Sequence, residues 1–381
     1  SDPMRRERML VCGAVILLVL FRSVLPVFEP YLAFNSDQAI FGLMGKHILE
    51  RRAFPVFMYG QNYILAVEAW MAVPMFLLFG VSVAALKLPL LLVNIAIGLL
   101  LVLLIERELG LRPRLALVPA LFFVLAPPGM TYSLLEAGGG NVEPFLYVLL
   151  LWLLRARPIW FGVILGVGFL HREFTIYALL ALSIVEWATG EWRMPGYWTT
   201  RFRGLRLTAE IWLVVQFVKN FASAAGPGTT AQDVITARNN VLEIWNRFCF
   251  DPRALAAGVG KLVTFHWPRL FGVERSALSS FGFESQVVEG LQGSGWLLAA
   301  LALLVAGRAF STLTKSGELR RYRLGAYLSL VGALSAGMFV LGRCGFVDIM
   351  RYDLLSALGL AGLTAWALAS RPPVWLTSTI V

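Results

Sequence analysis

The chain has 381 residues, of which 58% are hydrophobic and only 15% are charged, and its mean hydropathy is +0.72. Soluble domains are about 45–50% apolar and about 25% charged, so this composition excludes a soluble globular protein and indicates a polytopic membrane protein. The formal net charge is +10. Basic cytoplasmic loops beside anionic lipid explain that charge better than nucleic-acid binding does, so we expect membrane lipid, and no nucleic acid, as a partner.

Ten stretches are predicted to span the membrane, since a crossing helix needs about 20 apolar residues and fewer where the bilayer thins. The clear candidates are Leu10–Phe28, Val83–Ile105, Leu115–Leu135, Phe174–Ala188, Leu291–Gly307, Leu324–Leu341 and Leu354–Ala369. The weaker candidates are Val142–Leu154, Pro158–Leu170 and Leu207–Phe221. The predicted fold class is therefore an all-α integral membrane protein.

The segment Glu29–Ser82, which follows the first span, is predicted to hold two further helices. The polar run Asn35–Gln38 is typical of a helix start, because a short polar side chain accepts a hydrogen bond from the unpaired amides of the first turn. The second helix, Tyr63–Leu78, carries Glu68 and Pro74. Its 16 residues reach about 24 Å, which is short for a crossing. We predict two amphipathic helices beside the membrane on its outer side.

The distribution of arginine and lysine supports this arrangement. If Tyr63–Leu78 does not cross, the basic loops fall on the cytoplasmic side, as the positive-inside rule requires, and both termini are cytoplasmic. We expect those loops to be simple anchors. Their basic residues are Arg107, Arg112, Arg114, Arg155, Arg157, Arg193, Arg201, Arg203, Arg206, Lys315, Arg320, Arg321 and Arg323.

The same topology divides the chain into three parts. Residues 4–218 form a membrane module with the first outer loop at 29–82, residues 219–290 form an outer-face segment of unclear fold, and residues 291–381 hold the C-terminal membrane helices. The predicted location is a bacterial inner membrane, with the site facing the periplasm.

Ionisable residues at membrane depth are costly and usually mark a site or pathway. They concentrate in the predicted outer loops, where acids and bases are mixed. These residues are Asp37, Glu68, Glu136, Glu143, His171, Arg172, Glu173, Lys219, Arg343, Asp348, Arg351 and Asp353. Arg22, inside the first span, is a further one.

Several motifs occur in an order that resembles the GT-C membrane glycosyltransferases, specifically the protein O-mannosyltransferase and aminoarabinose-transferase branch. After the acid that starts the first loop helix, the motifs are LLFGVSVAALKLP, ERELGLRPR, ALFFVLAPPGMTYSLLEAGGG, LHREF and MRYDLLSALGLAGL. The resemblance covers Leu10 to about Ala188 and then Gly342 to Ala369. The stretch from Trp192 to Gly290 has no counterpart.

The resemblance implies a transferase that takes a sugar from a polyprenyl-phosphate carrier on the non-cytoplasmic face. The catalytic base of that family matches Asp37, although the family usually has Asp-Glu where this chain has Asp37-Gln38. The family's second acidic site falls at Glu136 or Glu143, and Glu68 is a further candidate carboxylate. The acceptor is a lipid, a protein or a polysaccharide.

The donor phosphate is expected to bind to arginine, whose planar fork donates two hydrogen bonds to phosphate oxygens. The resemblance assigns this role to Arg172 and to Arg351 with Tyr352, and Arg343 is a weaker candidate. His171, Glu173 and Lys219 are candidate supporting residues. Because the phosphate is a good leaving group, one base and a direct displacement suffice, and this reaction inverts the anomeric centre.

Each candidate also has a structural alternative. Asp37 is either a base or only a helix cap, and Glu68 is either a site carboxylate or a partner of Lys46 or Arg51. In the same way, Glu173 either supports the site or only pairs with Arg172, and Gly138–Gly140 is either part of the site or only a flexible turn.

No cofactor is predicted. His171 and His266 lack further ligands at suitable sequence spacing, which argues against a metal cluster. A divalent ion held by Asp37 with Glu136 or Glu143 stays open, and so does a bridge between Cys249 and Cys344.

A transporter or flippase for lipid-linked sugars is the rival function. Transporters often contain repeated halves and place charges at the membrane midplane. The sequence has no internal repeat, and its charges gather at one face, which favours an enzyme. No motif reports which sugar is transferred.

Overall fold

The computed structural model describes residues 3–29, 34–61, 64–222, 251–270, 307, 319–341 and 353–370. Three predicted site residues, Arg343, Arg351 and Tyr352, lie outside these ranges. So do both members of the cysteine pair, Cys249 and Cys344, as well as Asp348 and most of the predicted span Leu291–Gly307.

The described residues are helical apart from their connections and an isolated bridge between Phe57 and Leu65. The α-helices are α1 (Pro3–Phe28), α2 (Ser36–Leu49), α3 (Val67–Phe79), α4 (Val83–Leu109), α5 (Pro113–Val124), α6 (Pro128–Leu134), α7 (Glu143–Leu153), α8 (Pro158–His171), α9 (Thr175–Ala188), α10 (Tyr197–Ala222), α11 (Pro252–Lys261), α12 (Trp267–Leu270), α13 (Arg323–Leu341) and α14 (Ser356–Ser370). A π-helical turn, Leu262–His266, joins α11 to α12. Short 3₁₀ turns lie at Glu191–Arg193 and Leu319–Tyr322. The predicted all-α class is confirmed for this part of the chain.

Three of the described helices are long and apolar enough to cross a membrane: α1, α4, and α13 together with the 3₁₀ turn before it. A fourth crossing is formed if α5 and α6, which meet at an 80° bend, are counted as one broken span. The other predicted spans within the described ranges coincide with α7, α8, α9 and α14, which are shorter, and with part of α10. The number of ten spans therefore stays a prediction.

The first and the last residues of helix α3 both lie at one end of the helix bundle. Helix α4 packs against α1 and runs antiparallel to it, since Lys87 near its start donates to the Pro26 carbonyl at 2.9 Å while Glu106 near its end accepts from Arg8 at 3.0 Å. Glu68, at the start of α3, lies with other predicted outer residues at the Pro26 end. This path agrees with the prediction that the second loop helix does not cross. Its position along the outer leaflet stays a prediction.

The opposite end of the bundle, which we call the ion-pair end, is held by arginine–glutamate pairs. Arg155 and Arg323 both contact Glu108, at 3.5 Å and 3.6 Å, and Arg323 also contacts Glu191 at 2.8 Å. These pairs connect α4, the α7–α8 connection, α13 and the turn after α9. The expectation that the basic loops are simple anchors is therefore wrong for these arginines, because each one joins separate helices.

A further arginine–carboxylate pair at the ion-pair end is more deeply buried than these. Arg201 of α10 contacts Glu186 of α9, and both side chains are buried. Tyr197 donates to the same carboxylate at 2.7 Å. The pair therefore links α10, which packs against α8, to α9.

Arg22 explains how the bend between α5 and α6 is held. Its guanidinium donates to the Val124 carbonyl at the end of α5 at 3.1 Å, to Thr131 Oγ1 at 3.3 Å and to Asn94 Oδ1 at 2.7 Å. A helix end leaves carbonyls without partners, and these are costly in an apolar environment. Arg22 therefore supplies a hydrogen-bond donor to a carbonyl at the break between α5 and α6. It does not belong to the predicted site.

The α13–α14 pair packs at very short range through glycine. Gly332 on α13 faces Gly359 on α14, so that a Cβ added at Gly332 would lie 2.7 Å from the Gly359 nitrogen. Small residues allow helix backbones to approach in this way, which increases packing contacts between membrane helices.

Gly332→Ala is expected to force the two helices apart and to lower the free energy of unfolding by about 1–3 kcal/mol, as overpacking does. Gly337→Ala is the matched control on the same helix, because a Cβ there would meet nothing within 4 Å. Thermal unfolding of both variants in detergent measures the difference. Equal melting temperatures would contradict the close packing of α13 on α14.

Candidate functional site

The site is built around the loop between α6 and α7, residues 136–143, which we call the 136–143 loop. Gly139 and Gly140 have φ angles of +78° and +91°, a region that favours glycine. A Cβ on Gly140 would lie 2.5 Å from Arg172 Cγ and 3.2 Å from His171 Nε2. Gly138–Gly140 is therefore a tightly packed turn, and the alternative of a merely flexible turn is wrong.

Glu68 connects this loop to α3 and α8. Its Oε1 accepts from the Gly140 N–H at 2.6 Å, and its Oε2 lies 3.2 Å from His171 Nε2. Burial opposes the ionised form, but the charge and hydrogen bond of His171, with the Gly140 N–H, hold the pKa of Glu68 below its ordinary value. The alternative that Glu68 pairs with Lys46 or Arg51 is wrong, since Glu68 contacts the Gly140 N–H and His171, and Lys46 contacts Glu50.

Glu143 faces the same two side chains from the start of α7. One ligand atom each of Glu68, Glu143 and His171 lie within 4.8 Å of one another, and all three residues are buried. We call these residues the acid–histidine cluster. Sequence spacing does not indicate this cluster, because folding brings its members together from distant parts of the sequence. Among the described residues, this is the one group of three such side chains close enough together to hold a metal ion.

Tyr147 completes the surroundings of His171 and was not predicted. Its hydroxyl lies 2.8 Å from His171 Nδ1. Tyr147 follows Glu143 by four positions, so both side chains lie on the same face of α7. That spacing is the signal by which it could have been found once Glu143 was a candidate.

Arg172 lies directly behind the loop and is 5% exposed. Its Nη2 donates to the Gly138 carbonyl at 3.1 Å, and its Nε has no hydrogen-bond partner. No carboxylate pairs with it among the described residues. The neighbouring Glu173 is exposed, so the alternative that these two residues simply form a pair is wrong.

The 136–143 loop also reaches the start of α2. Asn35 caps α2 by accepting from the Gln38 N–H at 3.1 Å, and its side-chain amide donates to Glu136 Oε1. The other oxygen of Glu136 accepts from Asn141 at 3.1 Å. The predicted helix start is correct, but the cap is Asn35.

Asp37 therefore is not the helix cap, and the alternative that gave it only that role is wrong. It lies in the first turn of α2 and is half-buried, close along the chain to the contact between Asn35 and Glu136. Lys219 lies in α10, and its side chain is outside the described part of the structure, so its supporting role stays a prediction.

Comparison with known proteins concerns the fold. No protein-family model and no curated protein matches the chain. A solved structure of ArnT from Cupriavidus metallidurans bound to undecaprenyl phosphate is similar to it at 15% identity and a TM-score of 0.42, over 95% of this chain and 77% of that chain. The Archaeoglobus fulgidus oligosaccharyltransferase, solved in complex with Zn and sulfate, is similar at 12% identity and a TM-score of 0.48, over 97% of this chain and 51% of that chain.

This chain spans about half the length of the second structure. At these identities the likeness is one of fold alone. We therefore base the chemistry on the site residues themselves.

Gly140→Ala is expected to lower the free energy of unfolding by about 2 kcal/mol more than Gly60→Ala, because it adds a clash with Arg172 to the cost of a positive φ. Gly60 is the matched control, since its φ is +75° and a Cβ there would meet nothing within 4 Å. Chemical or thermal unfolding of both variants measures the difference. An equal loss in both would mean that the loop is not packed on Arg172.

Proposed function

We propose that this protein is an integral-membrane, inverting glycosyltransferase of the GT-C type, which moves a sugar from a polyprenyl-phosphate carrier to an acceptor outside the cytoplasm. One observation carries the proposal: the buried Arg172 guanidinium has an unused N–H and no described carboxylate partner, at the same end of the bundle as Asp37 and Glu136. The motif resemblance gives the class of reaction. The chemistry follows from these side chains.

Arg172 suits the donor phosphate on energetic grounds. A buried cation without a counter-ion costs several kcal/mol, so it attracts an anion that restores the balance. Its Nε carries an unused donor beside the Nη2 that already binds the Gly138 carbonyl. A phosphate oxygen bound there would gain a charge-assisted hydrogen bond.

Arg351, Tyr352 and Arg343 are proposed to complete the phosphate site. They belong to the stretch between α13 and α14, whose flanking residues Leu341 and Asp353 are described. Helix α13 starts at the ion-pair end, so its last residue lies at the end that holds Arg172. This connectivity supports the assignment of the three residues to the same site.

Asp37 is the proposed base. It removes the proton from the acceptor hydroxyl or amine while the acceptor atom attacks the anomeric carbon. The bond from that carbon to the phosphate oxygen breaks, and the polyprenyl phosphate leaves with the electron pair. A single displacement inverts the anomeric centre, and the lipid tail enters sideways between helices.

Glu136 and Glu68 have different parts in this proposal. Glu136 binds Asn35 and thereby orients the first turn of α2, which carries Asp37. Glu68 is 1% exposed and engaged by Gly140 and His171, which favours a positioning role behind the loop over the catalytic role predicted from the sequence.

Asp37→Asn is expected to lower the rate of sugar transfer by about 10²–10⁴-fold, the usual contribution of a general base, while donor binding stays close to normal. Glu50→Gln is the control, because Glu50 caps the other end of α2 and contacts surface residues Arg52 and Lys46. Transfer of radiolabel from a panel of polyprenyl-phosphate sugars measures the rate. Near-normal turnover of D37N would remove Asp37 from the mechanism.

Arg172→Met is expected to raise the apparent KM for the lipid donor by about 10- to 100-fold, the loss of a hydrogen bond to a charged group. Arg172→Lys keeps the charge and loses the planar fork, so it should recover part of this loss. Arg203→Met, at an exposed arginine of α10, is the control. An unchanged KM in a folded R172M variant would make Arg172 a structural residue only.

The same assay separates the enzyme from a flippase for lipid-linked sugars. An enzyme releases free polyprenyl phosphate and a glycosylated acceptor in equal amounts. A flippase in sealed vesicles moves the intact lipid-linked sugar and releases neither product. Translocation without release would replace the proposed function by its rival.

A further inference from the structure

We infer that Glu68, Glu143 and His171 bind one divalent transition-metal ion, and that the donor set is best suited to Zn²⁺. The three ligands come from α3, α7 and α8, whereas the proposed base Asp37 belongs to α2. The inference is independent of the proposed function, since the metal would hold helices together whether or not a sugar is transferred.

The geometry brings one imidazole nitrogen and two carboxylates to a common point. Their ligand atoms lie within 4.8 Å of one another, whereas ligand atoms around tetrahedral zinc are about 3.4 Å apart. Side-chain movements of about an ångström therefore close the site. Glu68, Glu143 and His171 come from α3, α7 and α8, so a bound ion would connect three helices.

The surrounding hydrogen bonds direct the candidate ligand atoms towards one another, and Nε2 of His171 and Oε2 of Glu68 contact each other at 3.2 Å. Tyr147 lies at Nδ1 of His171, which directs Nε2 towards the cluster. The Gly140 N–H occupies Oε1 of Glu68, which leaves Oε2 on the same side. Metal-binding histidines usually have a partner at the second ring nitrogen, and metal-binding carboxylates are usually hydrogen-bonded as well.

The surroundings of the Glu143 carboxylate point most directly to a bound ligand. It is 3% exposed, and neither of its carboxylate oxygens makes a hydrogen bond. Its own N–H and that of Val142, at the start of α7, favour its charged form. Buried polar groups nearly always have partners, so two orphaned oxygens aimed at Glu68 and His171 need an explanation.

The charges of the cluster also favour a bound divalent cation. Two carboxylates in one buried cluster repel each other, and a cation of charge +2 neutralises both without a protonated ligand. A mixed nitrogen and oxygen donor set suits Zn²⁺, whereas Mg²⁺ and Ca²⁺ prefer oxygen alone. The competing explanation is a metal-free cluster in which the three groups share protons.

A metal here would also fix the donor-binding arginine. The ion would hold Glu68, and Glu68 holds Gly140, whose backbone lies against Arg172. The ligands are thus positioning residues for the loop and do not contact the substrate in this scheme.

The test is the metal content of the full chain, purified in detergent without chelator, equilibrated with Zn²⁺ and then freed of excess metal. About one zinc per chain is expected for the natural sequence, and less than about a tenth of that for His171→Asn and Glu143→Gln. His47→Asn is the matched control for histidine, because His47 also lies beside a tyrosine hydroxyl, at 3.0 Å from Tyr59. Glu210→Gln, at an exposed glutamate of α10, is the control for the carboxylate.

Two results would overturn the inference. One is a natural chain without stoichiometric zinc, which would leave the proton-sharing cluster. The other is zinc retained by folded H171N and E143Q, which would show an adventitious ion only. If the two variants do not fold, Co²⁺ bound to the natural chain decides: tetrahedral d–d absorption bands that Zn²⁺ displaces are expected, and their absence contradicts the site. Metal content is measured without any substrate, so its result is distinct from failure of the proposed transfer reaction.

Discussion

The hydrogen bond from the Gly140 N–H to Glu68, 2.6 Å long, is the contact on which the site end of the bundle depends. It requires a backbone that is left-handed at two successive residues and that passes against the Arg172 side chain, and only glycine meets both conditions. Through it, α3 is tied to the 136–143 loop. The other end of that loop reaches Asn35 at the start of α2, and so one short segment sets the relative positions of the candidate base and the candidate phosphate ligand.

The two ends of the bundle use charge in opposite ways. At the ion-pair end, arginine and glutamate are matched, and the pairs that are partly exposed each contribute at most about 1 kcal/mol. At the site end, Arg172 and Glu143 are buried and unmatched, which costs several kcal/mol unless a ligand compensates them. Natural proteins commonly accept such instability at functional sites. This contrast, and not the number of charged residues, identifies the site end.

The sequence alone predicts the elements better than it predicts the site. The length of the apolar stretches predicts the long helices. The polar run at Asn35 predicts the start of α2, because capping is a local interaction. The acid–histidine cluster could not be predicted from the sequence, since His171 and Glu68 are 103 positions apart in the chain. No spacing rule connects side chains that only the packing of α3, α7 and α8 brings together. The same holds for the arginines of the ion-pair end, whose glutamate partners lie on other helices.

The most direct measurement of the central claim is the position of a polyprenyl phosphate bound to the full chain, determined by cryo-electron microscopy in lipid nanodiscs. The account predicts phosphate density within hydrogen-bonding distance of the Arg172 guanidinium, on the same side of the membrane as Asp37. Phosphate density at the ion-pair end, among Arg155 and Arg323, would contradict it.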